Sequence, residues 1–547
     1  MSEDPADRPS LRLIAGDLVS DLVHDVDAVA QLAGLGIWPR LPRQGSTPDD
    51  ERIAGPDSQR RRVVVVGGGI AGLTVAWSLV RDRGSDAEVI IYEAGSDVGG
   101  KLKSANIEGI TLDVGAESFQ AARPEALALA KSIGLSQSIV NPATAPMELL
   151  SRGALRQQPK GLVGGIPTDL RALAASDVMS LSGLLRVPLD HLLPKTEIDG
   201  DVSVGDYVSA RLGREAVDRL VEPVLSGVYA GRADELSLDM SVPALYRLAK
   251  RRRSLLAAAA EVRNTGAAPS GARRGPVSAG LSGGVARLPL MLADKLRKRG
   301  VDIRPESTVT GLRQSDQGWQ LLVTNNDETY RVSADAVVLA VPTPAAARLL
   351  RQTNPQVATV LDTVDYASVA TTTLLYLADS IPQLPATGGF LVPPVEGRSI
   401  TAAYYLSNKW GWVSKASAQR GRGGTKRPGF FVVRTMAGRY GELEALQPDD
   451  QELAKLAATD LHEVAGLPRR PAVAQVSRWG GSLPQYTVGH RARMARVREL
   501  LVATPGLAVC GAAYDGVGVA ACIGSAQVAA GQVSTYLAER RQLSNGR

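Results

Sequence analysis

Four consecutive valines, Val63 to Val66, run directly into Gly67-Gly68-Gly69-Ile70-Ala71-Gly72, and this junction limits the fold more than any other stretch of the chain. A short, β-branched, uninterrupted apolar run is a strand buried on both faces, as in parallel sheets. In Gly67-x-Gly69-x-x-Gly72 the first glycine permits a tight turn and the second lets a pyrophosphate approach backbone N–H groups. The third lets the following helix pack closely on the strand. That helix points its positive N-terminal end at the phosphates. Alone, the glycine pattern is weak. Here a second strand, Glu88 to Tyr92, ends in Glu93, 26 residues after Gly67. A carboxylate there accepts ribose hydroxyls and disfavours a 2′-phosphate, which argues against NADP. Strand, turn, helix, strand and acid in register predict an α/β chain with a Rossmann-type dinucleotide-binding domain.

At 547 residues the chain has room for two to four domains of about 100–200 residues. Its 62 basic and 56 acidic residues leave +6. That excess is too dilute to argue for nucleic acid, but it suits an anionic small molecule or peripheral contact with a membrane surface. Two cysteines, Cys510 and Cys522, exclude a disulfide framework and make a reducing, cytoplasmic setting the default. His24, His191, His462 and His490 lack metal-ligand spacing, so no metal is expected. The acidic first residues do not resemble a secretory signal. Of two uncharged runs, Val63 to Val80 reads as strand, turn and helix. Gly516 to Ala538 is Gly/Ala-rich and holds Gln527 and Gln532, so neither predicts a transmembrane segment.

Residues 1–60 read as an extension. Leu11, Ile14, Leu18, Leu22, Val26 and Val29 recur at helical spacing among Asp17, Asp21, Asp25 and Asp27. A Pro/Gly/Asp-rich linker follows. The dinucleotide-binding domain is expected to be discontinuous, over 61–150, 280–345 and 475–547. A helical region lining the substrate pocket falls at 151–279, ending in an Ala/Gly/Arg-rich loop, and a substrate-binding sheet at 346–474. Segments within 318–341 read as a strand meander returning to a core strand. The basic runs at 250–253 and 491–498 read as solvated helix faces, and His490 as an exposed turn residue.

FAD is preferred over NAD because of two further stretches. Val98-Gly99-Gly100-Lys101 brings a second glycine pair beside the phosphates. Gly511-Ala512-Ala513-Tyr514-Asp515-Gly516-Val517-Gly518-Val519 opens the last helix, whose N–H groups would stabilise negative charge on a reduced flavin. A long cofactor reaching both ends of the chain fits FAD.

With these motifs the chain resembles the FAD-dependent protoporphyrinogen and coproporphyrinogen oxidase family, within the amine-oxidase-like flavoproteins, from about Arg61 to Ala530. Further motifs carry the likeness: Gly115-Ala116-Glu117-Ser118-Phe119 with Arg123-Pro124, Pro159-Lys160-Gly161, and the run from Glu222 to Gly231. Asn408-Lys409-Trp410, Arg478-Trp479, Leu483-Pro484-Gln485-Tyr486 and Val488-Gly489-His490 follow in order. Their spacing is similar to the Gram-positive type, which oxidises coproporphyrinogen III to coproporphyrin III. Ala116 departs from the usual Pro, and the extension lies outside the family pattern.

The resemblance implies a Rossmann-type FAD domain interleaved with a substrate domain and a helical domain. It implies FAD contacts at Gly67, Gly68, Gly69, Ile70, Ala71, Gly72, Glu93, Ala94, Lys101, Gly115, Ala116, Glu117, Ser118, Val309, Trp479, Val517, Gly518 and Val519. It places Arg123 at a propionate of an anionic tetrapyrrole, Gly227 in the pocket wall, and Trp410 stacked on a pyrrole ring. From the residues alone, Arg123 also reads as the solvated end of a loop and Trp410 as core packing. No side chain need be a nucleophile, because the flavin N5 accepts hydride and O₂ reoxidises the cofactor with release of H₂O₂, three times per porphyrin. Protoporphyrinogen IX, an amine or a polyene remain rival substrates. A flavin-holding protein without turnover is the reading from another class.

Overall fold

The computed structural model describes residues 60–83, 87–143, 145–265, 278–325, 328–418 and 429–545. The amphipathic helix expected before Arg60 and most of the loop at 264–280 lie outside them. The described end of that loop is a strand, Ser278–Leu281, paired with Phe119–Gln120 and Ile139–Val140.

β1 (Arg61–Val66) is the middle of a five-stranded parallel sheet with β2 (Ala87–Tyr92), β3 (Asp302–Arg304), β4 (Ala336–Leu339) and β5 (Leu507–Val509), in the order β3-β2-β1-β4-β5. Val63 sits opposite both Val89 and Ala336. Because side chains alternate across a strand, the valines serve two cores. Val63 and Val65 pack with Leu73 and Leu79 of α1 (Ile70–Arg83) and with Ile523 and Ala526 of α2 (Val519–Asn545). Val64 and Val66 pack with Leu321, Val323, Ala346 and Leu361 on the opposite face. An apolar residue is needed at each position, so the sequence shows a run and no alternation.

The expected meander is Ser307–Ser315, Gly318–Asn325 and Glu328–Ala334, antiparallel and leading into β4. Three domain boundaries need correction. Met147–Ser151 and Val473–Pro484 pair into a seven-stranded sheet around Tyr366–Leu377, outside the dinucleotide-binding part. Helices Thr343–Leu350 and Pro355–Asp362 bury Ala346, Leu350 and Leu361 in the dinucleotide-binding core, not against that sheet. Sequence order hides this, because the chain crosses between the two sheets several times.

The helical region has its own core, including Val208, Leu220, Leu245 and Leu256, which continues onto Leu149, Leu391 and Ala402 of the seven-stranded sheet. Within it Arg211 and Asp190 form a fully buried ion pair at 2.5 Å. Asp190 also accepts from the Ser254 hydroxyl and Leu256 N, while Arg211 donates to the carbonyls of Asp190 and Pro194. Such satisfaction is what makes a buried pair tolerable.

Candidate active site

The turn after β1 shows which glycines the chain needs for itself and which it leaves for a ligand. Gly67 has φ +105°, and a Cβ there would lie 2.7 Å from Ala340 O. A Cβ on Gly72 would overlap Gly67 O. Gly69 differs: its nearest obstacle is Gly100 Cα at 4.0 Å, so the space in front of it is open. Ile70 and Ala71 are buried in the first turn of α1. Glu93 closes the cradle, accepting from Gly68 N at 2.6 Å and from Gly95 N at 2.8 Å. Each carboxylate oxygen retains a lone pair for a ribose hydroxyl. Ala94 is exposed beside it, and Ser307 N donates to Glu93 O, which brings the strand of Val309 alongside.

Glycine contacts stack a second layer on the first. Gly99 N donates to Gly68 O, and Ala116 N donates to Lys101 O. A Cβ on Gly115 would overlap Lys101 O and lie 3.2 Å from the Trp479 ring. Thr371 Oγ1 donates to Val114 O at 2.9 Å, and Trp479 Nε1 reaches Thr371 Oγ1 at 3.4 Å. Ser118 is half-buried at the end of this loop. Lys101 has no acidic partner among the described residues; its side chain is solvent-accessible, and the protein crowded around it lowers its pKa. It lies in the field of Cys522, in the first turn of α2. At the mouth of that helix Gly518 has no atom near its Cβ direction, and Val517 packs towards the helical region. Open space at Gly69 and Gly518, two helix N-termini, an unpaired cation and a carboxylate with free lone pairs fit a dinucleotide as long as FAD.

Sequence reasoning missed the charges beneath this loop. Glu117 is paired with Lys409 Nζ at 2.5 Å and with Arg434 Nη1 at 3.2 Å, with the Trp410 indole beside it. Burial would raise the Glu117 pKa, but the two cations outweigh it and hold the carboxyl below its ordinary range. Arg434 also donates to Gly115 O, while its Nε and Nη2 have no hydrogen-bond partner among the described residues. Asp113 accepts from Val285 N and Ala286 N, and burial pushes its pKa up to about 6. Lys409, within the Asn408-Lys409-Trp410 motif, and Arg434 are far from Glu117 in the chain, so nothing local announces their meeting.

Arg123 is held by Glu125 (Nη2 to Oε1, 2.9 Å) over the first turns of α2. A Cβ on Gly516 would lie 3.9 Å from its Nη1, and one on Gly524 3.6 Å from its Nη2. Gly227, in helix Glu222–Tyr229, faces the Tyr404 hydroxyl at 3.5 Å and Leu391 at 3.9 Å, measured from a Cβ position. Trp410 is a correction. It is buried, packed with Ile107, Leu112 and Val432, and its ring edge stands 2.6 Å from a Cβ on Gly280. No face of the indole is free for stacking on a ring. His490 is a second correction, since it is fully buried. Its arginine-rich neighbourhood misleads because Arg491 points away, to Asp239.

Fold and site together define a flavin-binding oxidoreductase built on a dinucleotide-binding sheet. A model of the flavin containing amine oxidoreductase family matches residues 70–534. The chain is 30% identical over 484 residues to a coproporphyrinogen III oxidase of Bacillus subtilis (strain 168), covering 87% of this chain and 99% of the relative. It is 35% identical over 468 residues to a coproporphyrinogen III oxidase of Mycobacterium bovis, covering 85% and 96%. A crystal structure assigned as a protoporphyrinogen oxidase of Exiguobacterium sp. 255-15 superposes with a TM-score of 0.73 at 30% identity, covering 87% of this chain and 99% of that one. The chain belongs to the flavin containing amine oxidoreductase family, among its coproporphyrinogen III oxidase members. It is an FAD-dependent oxidoreductase. Among the described residues no helix is long and apolar enough to cross a membrane, and no group of side chains could hold a metal ion.

Proposed function

We propose that this chain oxidises coproporphyrinogen III to coproporphyrin III in haem biosynthesis, using three O₂ and releasing three H₂O₂ per porphyrin. The observation that carries the reading is its likeness to coproporphyrinogen III oxidases over nearly their whole length. The site agrees with it. When bound, FAD supplies the two-electron acceptor. The protein contributes orientation and charge. Arg123, oriented by Glu125, offers a planar fork to one propionate. Residue 227, being glycine, keeps a side chain off the wall it shares with the Tyr404 hydroxyl and Leu391. Lys101 and the N-terminus of α2 add positive potential on the same side as Arg123. Neither thiol serves as a nucleophile: burial pushes Cys522 up to about 11 and Cys510 higher still. Two unpaired cysteines suit a cytoplasmic reaction.

The test is growth of porphyrin fluorescence in air with coproporphyrinogen III and protoporphyrinogen IX in parallel, each corrected for spontaneous oxidation. A higher kcat/KM for the four-propionate substrate is expected. The reverse preference would make this a protoporphyrinogen oxidase, the activity assigned to the Exiguobacterium protein. No enzymatic rate on either would move the search to amines and polyenes.

A further inference from the structure

The helical region carries a surface that nothing described covers. Helix Leu181–Arg186 continues into the 3₁₀ turn Val187–His191. Its inner side supplies Val187 and half-buried Leu184 to the helical core. Its outer side exposes Leu181 (73%), Leu185 (66%), Leu189 (43%) and Leu192 (73%). Spacings of four, four and three keep these side chains on one face. Four of the fourteen large apolar side chains exposed among the described residues thus form one stripe. Single exposed leucines need no explanation, but a contiguous stripe marks a contact.

The stripe has a basic border. Arg253 donates to the carbonyls of His191, Leu192 and Leu193, fastening the exposed run Lys250-Arg251-Arg252-Arg253 to its end. Arg252 is paired with Glu261 and Lys195 with Glu197, whereas Arg251 has no acidic partner among the described residues. The natural occupant is apolar along one face and acidic along its flank.

This chain contains such a segment. Between residues 11 and 29, Leu11, Ile14, Leu18, Leu22, Val26 and Val29 follow the same helical spacing, with Asp17, Asp21 and Asp25 in a row along one side. We propose that residues 11–29 dock as an intramolecular cap on the Leu181–Leu192 stripe, with their aspartates against the basic border at 250–253. The connection is long enough. Thirty residues, 30–59, separate the segment from the first described residue, a reach of about 100 Å when extended. Tethering places the segment near its target at an effective concentration on the order of millimolar, so a modest contact suffices.

The test uses the full chain. Its own cysteines, Cys510 and Cys522, are buried and free, leaving introduced thiols as the reactive ones. Leu22→Cys with Leu185→Cys should form an intramolecular disulfide on mild oxidation at submicromolar protein, identified by peptide mapping. Leu22→Cys with Leu443→Cys, at a site equally exposed (67%), should cross-link at least tenfold more slowly. Reversing Asp17, Asp21 and Asp25 to Lys should slow the first reaction about tenfold, and raised salt should slow it as well. Equal rates for the two pairs would overturn the proposal. So would disulfides only between chains, which would make a second copy the occupant. Full-length protein that pellets with phosphatidylglycerol vesicles, and loses this on Leu185→Asp, would assign the stripe to lipid instead. None of these readouts depends on the substrate.

Discussion

His490 stacks on Tyr486 with ring centroids 4.5 Å apart, and the two side chains hold consecutive carbonyls of the short helical turn Ala512–Asp515 that leads into α2. His490 Nε2 reaches Ala513 O at 2.7 Å, and the Tyr486 hydroxyl donates to Ala512 O. A carbonyl only accepts, so Nε2 carries the ring proton and Nδ1 is a bare lone pair, buried without a partner among the described residues. This pair fixes the approach to Gly516, Val517 and Gly518 from behind.

A pH dependence follows from that lone pair. Burial lowers the His490 pKa from 6.5 to about 4. The unfolded chain takes a proton near pH 6.5 and the folded chain does not until about pH 4. Stability from this group is therefore present above pH 6.5 and lost as pH falls towards 4. His490→Gln keeps a donor for Ala513 and removes the titration. In urea unfolding at pH 7 and pH 4.5, wild type should lose about 2 kcal/mol more than the variant. Equal losses would remove His490 from the account.

The glycines of the first turn should separate folding from cofactor binding. Gly72→Ala drives a methyl into Gly67 O and should cost about 3 kcal/mol of stability. Gly69→Val meets open space, so the chain should fold with a Tm close to that of wild type stripped of FAD, yet purify without yellow colour. Full flavin occupancy in Gly69→Val would show that the pyrophosphate does not pass there.

Arg123→Ala should raise KM for coproporphyrinogen III about 10- to 100-fold with a smaller fall in kcat, as expected for loss of a charge-assisted contact made equally in ground and transition states. Arg123→Lys should fall between. An unchanged KM in steady-state assays would take Arg123 out of the substrate site.

Glu117→Gln strips the partner from Lys409 and Arg434, both tied to it in a buried cluster. Leaving those charges uncompensated should cost about 3–5 kcal/mol. Thermal unfolding should show part of the loss recovered in Glu117→Gln with Lys409→Met, whose removal relieves one of the two cations. A double variant no more stable than the single one would rule out this coupling.

Much of the dinucleotide fold was legible because its determinants are local. Val63 to Val66, the glycine turn and Glu93 lie within one strand-helix-strand unit, where spacing translates into geometry. The charge cluster was not legible, since Glu117, Lys409 and Arg434 meet only after the chain has crossed between sheets. Trp410 and His490 needed the packing to decide them. The resemblance set Trp410 against a pyrrole ring, and the contact with Gly280 leaves it with the core packing that its residues alone also suggested. A histidine beside arginines suggests a surface, and only the stacking of Tyr486 on His490 shows otherwise. The domain boundaries slipped where Met147–Ser151 and Val473–Pro484 leave one sheet for the other.

The sheet that begins with β1 is completed by β5, and α1 is covered by α2. The ribosome therefore makes the phosphate turn early and the opposite wall of the same cleft hundreds of residues later. In the proposed site flavin cannot be gripped at both ends while the polypeptide is still being made, which makes loading a late event. A fragment carrying the glycine motif alone would be no transplantable cofactor module.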